Sequence, residues 1–241
     1  MARSILPDIE DQPMTLVGHL EELRWRILWS LFYWIVACFI CYQLVPRLLD
    51  WVRPLLKGNK LIFTNPTEGF FAYLNAAMVG GACLAAPIFL YHFLMFVLPG
   101  LEKSERRWVF RLLPVSIVLF LVGCAFALKL VLPGTMGFFL GFATEELVPQ
   151  LKIGEFVGFV VTVTVICGLI FELPIVLFFL AGIGLINSKF LARHRRMAYF
   201  VSFVVAAVAT PTPDAFTATV VALPILINYE VSLWLIRICG K

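Results

Sequence analysis

A glutamate stands where an ionisable side chain is least expected. Glu172, in Phe171-Glu172-Leu173-Pro174, has no other charged residue within a dozen positions on either side. A carboxyl group in such a run is costly in lipid and marks a candidate functional site, as a coupling or binding group. The plainer reading is a neutral carboxyl bonded to backbone that Pro174 frees by lacking an N–H. One turn earlier, Gly168 leaves room for a second helix to approach closely. The other charged constellations sit between apolar runs: His19-Leu20-Glu21-Glu22-Leu23-Arg24-Trp25-Arg26 and Glu102-Lys103-Ser104-Glu105-Arg106-Arg107. On charge alone these read as solvated connections with local pairs such as Glu22–Arg26 at i,i+4.

Signals for soluble-enzyme chemistry are missing. The sequence has no H-E-x-x-H, no G-x-S-x-G and no G-x-x-x-x-G-K-[ST]. His19, His92 and His194 lie far apart, without metal-ligand spacing, and read as interfacial or loop residues. No metal, cofactor or catalytic residue is expected. Of the six cysteines, Cys38, Cys41, Cys83, Cys124 and Cys167 fall inside apolar runs, so no disulfide framework is implied. Cys38 and Cys41 form a C-x-x-C, but within a candidate membrane helix, where small packing residues are the expectation.

The elements that carry these residues are membrane helices. Hydrophobic residues make up 61% of the 241 and charged residues 14%, far below the roughly one quarter of a soluble domain. Apolar runs long enough to cross a bilayer recur with short polar connections, and they are continuous rather than alternating, which excludes a transmembrane barrel. The expected fold is an all-α integral membrane protein of one domain, residues 1–241. Six transmembrane helices are expected at about 25–45, 70–98, 108–132, 156–186, 197–209 and 215–236. Residues 1–14 lack the basic start of a signal peptide, so the first span is expected to be retained. Trp25, Trp51, Trp108, Tyr199 and Trp234 near span ends suit the membrane interface.

Charge sets the expected orientation. With a cytoplasmic N-terminus, Arg3, Arg24, Arg26, Lys103, Arg106, Arg107, Arg111, Lys189, Arg193, Arg195, Arg196, Arg237 and Lys241 all face the cytoplasm. These are thirteen of the nineteen Lys and Arg, which favours both termini inside. The fourth run, 31 residues long, must tilt, bend or protrude, and Pro174 supplies a cause for a bend. The fifth, 13 residues before Thr210-Pro211-Thr212-Pro213-Asp214, reaches only about 20 Å. The last two helices are therefore expected to form a short hairpin under a locally thinned bilayer. Asn65-Pro66-Thr67-Glu68 reads as a helix start, with Asn65 as cap and Pro66 at the first helical position.

Taken in order, several motifs resemble those of the TatC family of the twin-arginine translocation system. They are His19-Leu20-x-Glu22-Leu23-Arg24-x-Arg26, Pro54-Leu55, Pro66-x-Glu68-x-Phe70 and Phe96-x-x-Pro99-x-Leu101-x-x-x-Glu105-Arg106-Arg107. Phe171-Glu172-x-Pro174, Thr210-Pro211 with Pro213-Asp214, Ala222-x-Pro224 and Tyr229-Glu230 complete the set. The resemblance implies a cupped membrane receptor for signal peptides carrying paired arginines. Its implied partners are the single-span proteins TatA and TatB, further copies of itself and the lipid bilayer, not nucleic acid. Folded cargo would cross a bacterial cytoplasmic membrane, or its archaeal or organellar equivalent, driven by the proton-motive force.

By motif, Glu22 and Glu105 would read the arginines with Phe96 and Arg24 beside them. Glu172 would line the concave membrane face, and Pro54, Asp214 and Thr217 would serve assembly. The chemistry suits that role, because a planar guanidinium pairs bidentately with carboxylate and an ammonium does not. The sequence departs from the family in the extra residue of Thr210-Pro211-Thr212-Pro213-Asp214. It also has Ala218 where many relatives carry a glutamine thought to dock TatA, leaving Thr217 or Thr219 as the neighbouring hydroxyls. A secondary transporter coupled through Glu172 is the competing reading, although the paired repeats such transporters show are missing. An intramembrane hydrolase lacks a nucleophile and base.

Overall fold

The computed structural model describes residues 16–97, 103–144, 146–210 and 214–240, with backbone alone at 16, 94, 97 and 103–111. The chain is all-helical in its main elements. They are α1 (Leu16–Val52), α2 (Pro66–Val97), α3 (Lys103–Phe126), α4 (Leu132–Leu140), α5 (Ile153–Gly182), α6 (Ser188–Arg193), α7 (Arg195–Ala209) and α8 (Ala215–Ile238). Five stretches are long and apolar enough to cross a membrane: Val17–Leu56, Pro66–Phe93, Leu112–Leu140, Ile153–Gly182 and Ala215–Ile238. Their outer faces and that of α7 present large apolar side chains, with Phe39 of α1 70% exposed and Val208 of α7 82% exposed. Lipid is the solvent that such a surface requires.

Two expectations change. The third run does not stop at residue 132, because α3 and α4 are one continuous rod. A π-helical turn, Ala127–Val131, joins them, with the Leu132 N–H donating to the Ala127 carbonyl. That extra residue per turn absorbs Pro133, which has no N–H to give to an α-helical ladder. The last two helices are also not both short. At 15 residues α7 spans about 22 Å, less than the roughly 30 Å hydrocarbon core. In contrast, α8 runs 24 residues, or about 36 Å, from a cap in which Asp214 Oδ1 accepts from the Thr217 N–H at 2.7 Å.

The centre of the fold is α5, which packs against α2, α3 and α8. Its contact with α3 is backbone-close. A Cβ on Gly123 would lie 2.6 Å from the Cys167 carbonyl oxygen and 2.9 Å from Gly168 Cα, and one on Gly168 would lie 2.7 Å from the Phe120 ring. Small residues allow this approach, as expected between membrane helices. The α1–α2 pair repeats the device, since a Cβ on Gly81 would lie 2.7 Å from the Cys38 N. Cys38 Sγ donates to the Met78 carbonyl at 3.7 Å, so it acts there as a packing residue.

One end of the bundle is tied by its loops. Leu61 and Ile62 pair in parallel with Leu151 and Lys152, a two-residue bridge. The helix start at Pro66 is as the sequence predicts, and Glu68 adds three bonds. It accepts from the Thr64 N–H (2.9 Å) and hydroxyl (3.0 Å), and from the Gly154 N–H at 3.4 Å. One carboxylate thus joins the first turns of α2 and α5. Beyond the opposite end of α5, the Asn187 side chain caps α6 by accepting from the Phe190 N–H at 2.7 Å. Glu230 of α8 holds α7, accepting from Arg195 Nη2 at 2.7 Å and Tyr199 Oη at 2.5 Å.

The α3–α5 contact gives a direct test. A Gly123→Val chain is expected to lose about 1–3 kcal/mol through overpacking against backbone that cannot yield. Thermal unfolding in detergent reads that loss, and an unchanged midpoint would show that α3 and α5 can separate freely.

Candidate functional site

The charged residues before the first span lie in the first turns of α1, so helix periodicity decides which of them meet. Glu22 and Arg26 share a face, with Arg26 Nε donating to Glu22 Oε1 at 2.9 Å and Nη2 donating to the same oxygen. The Glu22 side chain is only 18% exposed. Its second oxygen, Oε2, is buried with no hydrogen-bond partner among the described residues, and His19 Nδ1 lies 3.9 Å away. His19 in turn stacks on Phe96 of α2, with ring centroids 4.2 Å apart. The structure therefore brings Glu22 and Phe96 together through a histidine. Arg24 is exposed two residues on, off the Glu22 face. Glu105 lies in the first turn of α3, and its side chain is outside the described residues.

An apolar cavity lies beside Arg26 and Phe96. It has a volume of about 320 Å³ and is lined by Leu23, Arg26, Trp34, His92, Phe93 and Phe96, among others. It shares Phe89 and Phe93 with a second cavity of about 280 Å³, whose walls include Pro87, Phe120, Leu169 and Glu172. Arg26, the partner of Glu22, lines the first cavity and Glu172 the second, and Phe89 and Phe93 stand between them. Their walls are almost wholly apolar, so they suit an apolar segment better than a polar solute.

Glu172 is held from α3, not by freed backbone. Its Oε2 accepts from the hydroxyl of Ser116, which is fully buried. The carbonyl that Pro174 leaves without a donor belongs to Ile170, four residues earlier. Asn228 of α8 supplies the replacement, its Nδ2 donating to the Ile170 oxygen at 3.4 Å. Neither Ser116 nor Asn228 is singled out by sequence. A polar residue within an apolar helix was the available signal, and a proline on another helix gave Asn228 its purpose.

The remaining predicted residues are dispersed. Pro54 is exposed in the 3₁₀ turn that follows α1, and its carbonyl accepts from the Lys57 N–H at 3.2 Å. Asp214 caps α8, and Thr217 is fully buried in that helix. Thr219 is exposed, with its hydroxyl bonded to the Ala215 carbonyl at 2.6 Å. No group of three or more His, Cys, Asp or Glu is arranged to hold a metal among the described residues.

The comparisons with known proteins decide the family. A family model described as Sec-independent protein translocase protein (TatC) matches residues 18–224. The chain belongs to the TatC family. A TatC from Carboxydothermus hydrogenoformans is 38% identical over 231 residues, covering 95% of each chain. One from Aquifex aeolicus is 34% identical, covering 95% of this chain and 97% of its own. A crystal structure titled as the twin arginine translocase receptor TatC superposes with a TM-score of 0.81 at 33% identity. It covers 92% of this chain and all of that one. As a TatC protein the chain is a multi-pass membrane component of protein transport, and not an enzyme. Nothing in these matches supports the small-solute transporter.

Asn228 provides the test of this part. Asn228→Ala removes the donor to the Ile170 carbonyl and is expected to cost between about 0.6 and 2 kcal/mol. Urea or thermal unfolding in detergent measures it. No loss would mean that the carbonyl has another donor.

Proposed function

We propose that this TatC protein is the membrane receptor that binds Arg-Arg signal peptides and, with TatA- and TatB-type partners, exports folded proteins using the proton-motive force. The observation that carries the reading is the pair of adjoining apolar cavities, one lined by Arg26, the partner of Glu22, and the other by Glu172. A signal peptide has charged and apolar parts in series, and the Glu22–Arg26 pair with these cavities offers both in the same order. Glu22 keeps one oxygen for Arg26 and one without a hydrogen-bond partner. A carboxylate has about four acceptor positions, so in this proposal a second guanidinium pairs with Glu22 once its buried Oε2 is uncovered.

Glu105, across the cytoplasmic surface at the start of α3, is the second reader in this proposal. Phe96 and Arg24 flank the recognition surface, while the apolar stretch of the peptide runs along Phe93 and Phe89 towards Glu172. Six crossings, with both termini in the cytoplasm of a bacterial cell, agree with the positive-inside charge pattern. In this arrangement α7 is the crossing too short for the bilayer, which thins the membrane beside it and gives single-span partners a place to pack. Pro54 in its exposed turn serves assembly between copies. Asp214 and Thr217 fix where α8 begins and so the surface it offers to partners.

The double variant Glu22→Ala, Glu105→Ala is expected to weaken crosslinking to an Arg-Arg precursor about tenfold or more, the loss of charge-assisted bonds. Crosslinking to a Lys-Lys precursor, expected to be weak from the start, should change little. Unchanged Arg-Arg crosslinking in the double variant would remove both residues from recognition.

A further inference from the structure

Three side chains meet near the start of α1, and one of them has the form of a ligand. His19, in the first turn of that helix, lays its ring on Phe96 in the last turn of α2, with the centroids 4.2 Å apart and the planes at 11°. Its Nδ1 lies 3.9 Å from Glu22 Oε2, too far for a hydrogen bond, and that oxygen is buried with no hydrogen-bond partner among the described residues. Arg26 engages the other oxygen, Oε1, so the carboxylate is only half used. A flat, nitrogen-bearing ring stacked on an aromatic face beside a carboxylate oxygen has the shape of a bound guanidinium, which stacks on such faces and pairs with such oxygens.

We propose that His19 is a placeholder for an arginine of the signal peptide, a reading that rests on the receptor role given above. In the free protein the imidazole lies on Phe96 next to Glu22 Oε2. On binding it swings out, and the guanidinium takes its place, stacked on Phe96 and paired with the uncovered Oε2. The exchange needs a side-chain rotation alone, because the His19 side chain is already 37% exposed and has open space to move into. It also ends an unfavourable state, since a buried carboxylate oxygen without a donor costs free energy.

The exchange separates arginine from lysine. Closure by His19 lowers the apparent affinity for every peptide by the same fraction, and a ligand must regain what it displaces. An ammonium has no plane to lay on Phe96, so a lysine restores only the charge pair. A guanidinium restores both contacts. Phe96 and Arg26 also line the first apolar cavity, so the residues that follow an arginine held on Phe96 have that cavity within reach.

The test uses the whole chain in lipid nanodiscs and a fluorescent synthetic signal peptide, in Arg-Arg and Lys-Lys forms, with binding read by anisotropy. His19→Ala removes the competitor and is expected to tighten Arg-Arg binding several-fold. His19→Arg supplies a tethered guanidinium and is expected to weaken it about tenfold or more. A merely structural histidine would give weaker binding in both variants. In the wild-type chain with labelled histidine, Phe96 imposes a ring-current shift on the His19 ring protons, assigned by the loss of their signal in His19→Ala. That shift should vanish on adding the Arg-Arg peptide and persist with Lys-Lys at the same concentration. Arg-Arg binding that Glu22→Ala abolishes but His19→Ala weakens or leaves unchanged would overturn the placeholder and leave the receptor role standing. So would a His19 shift that survives saturation with the Arg-Arg peptide. Equal binding of the two peptides by the wild-type chain would overturn the receptor role, and the placeholder with it.

Discussion

A proline in the middle of a membrane helix leaves a carbonyl without a donor, in a solvent that has none to offer. In this chain that carbonyl is Ile170, and Asn228 on α8 satisfies it from another helix. The bond fixes α8 to α5 at the level where α5 also carries Glu172. On its other side α5 meets α3 through Gly123 and Gly168, close enough for the Ser116 hydroxyl to reach the Glu172 carboxyl. Three helices are thus locked in register around one acidic group. The polar atoms there are paired with each other, which is what makes the arrangement tolerable in lipid.

Function follows from where this locked centre stops. The α1–α2 pair packs tightly on itself through Gly81 and Cys38 but leaves an apolar slot against α3 and α5. Arg26, the partner of Glu22, lines one cavity and Glu172 the adjoining one, so the proposed charged reader and the apolar cavities lie along one part of the TatC protein. A receptor for a peptide with a cationic start and an apolar body needs that combination. It needs no nucleophile, base or metal, and binding strength there depends on complementarity along the slot.

Much of this was legible in sequence, for identifiable reasons. Continuous apolar runs gave the membrane helices because the bilayer sets a length scale, and Asn65-Pro66 gave a helix start because caps are local. Glu172 announced itself as a charge among apolar neighbours. The misread boundaries had physical causes as well. Pro133 does not end the third run because a π turn accommodates it, and α8, expected to be short, runs from its Asp214 cap through Pro224 to Ile238. Pairings between distant segments were not legible: Ser116 with Glu172, Asn228 with Ile170, His19 with Phe96, Arg195 with Glu230. Each partner is unremarkable in its own stretch, and only packing reveals the match.

The central claim is that the adjoining cavities lined by Arg26 and Glu172 receive the apolar stretch of an Arg-Arg signal peptide. A photocrosslinker at Phe93, which lines both cavities, tests it most directly. The account predicts strong crosslinks to the apolar stretch of an Arg-Arg precursor and weak ones to its Lys-Lys counterpart, with none from the lipid-facing position Phe39. Equal crosslinking of the two precursors at Phe93, or crosslinks at Phe39 in its place, would contradict it.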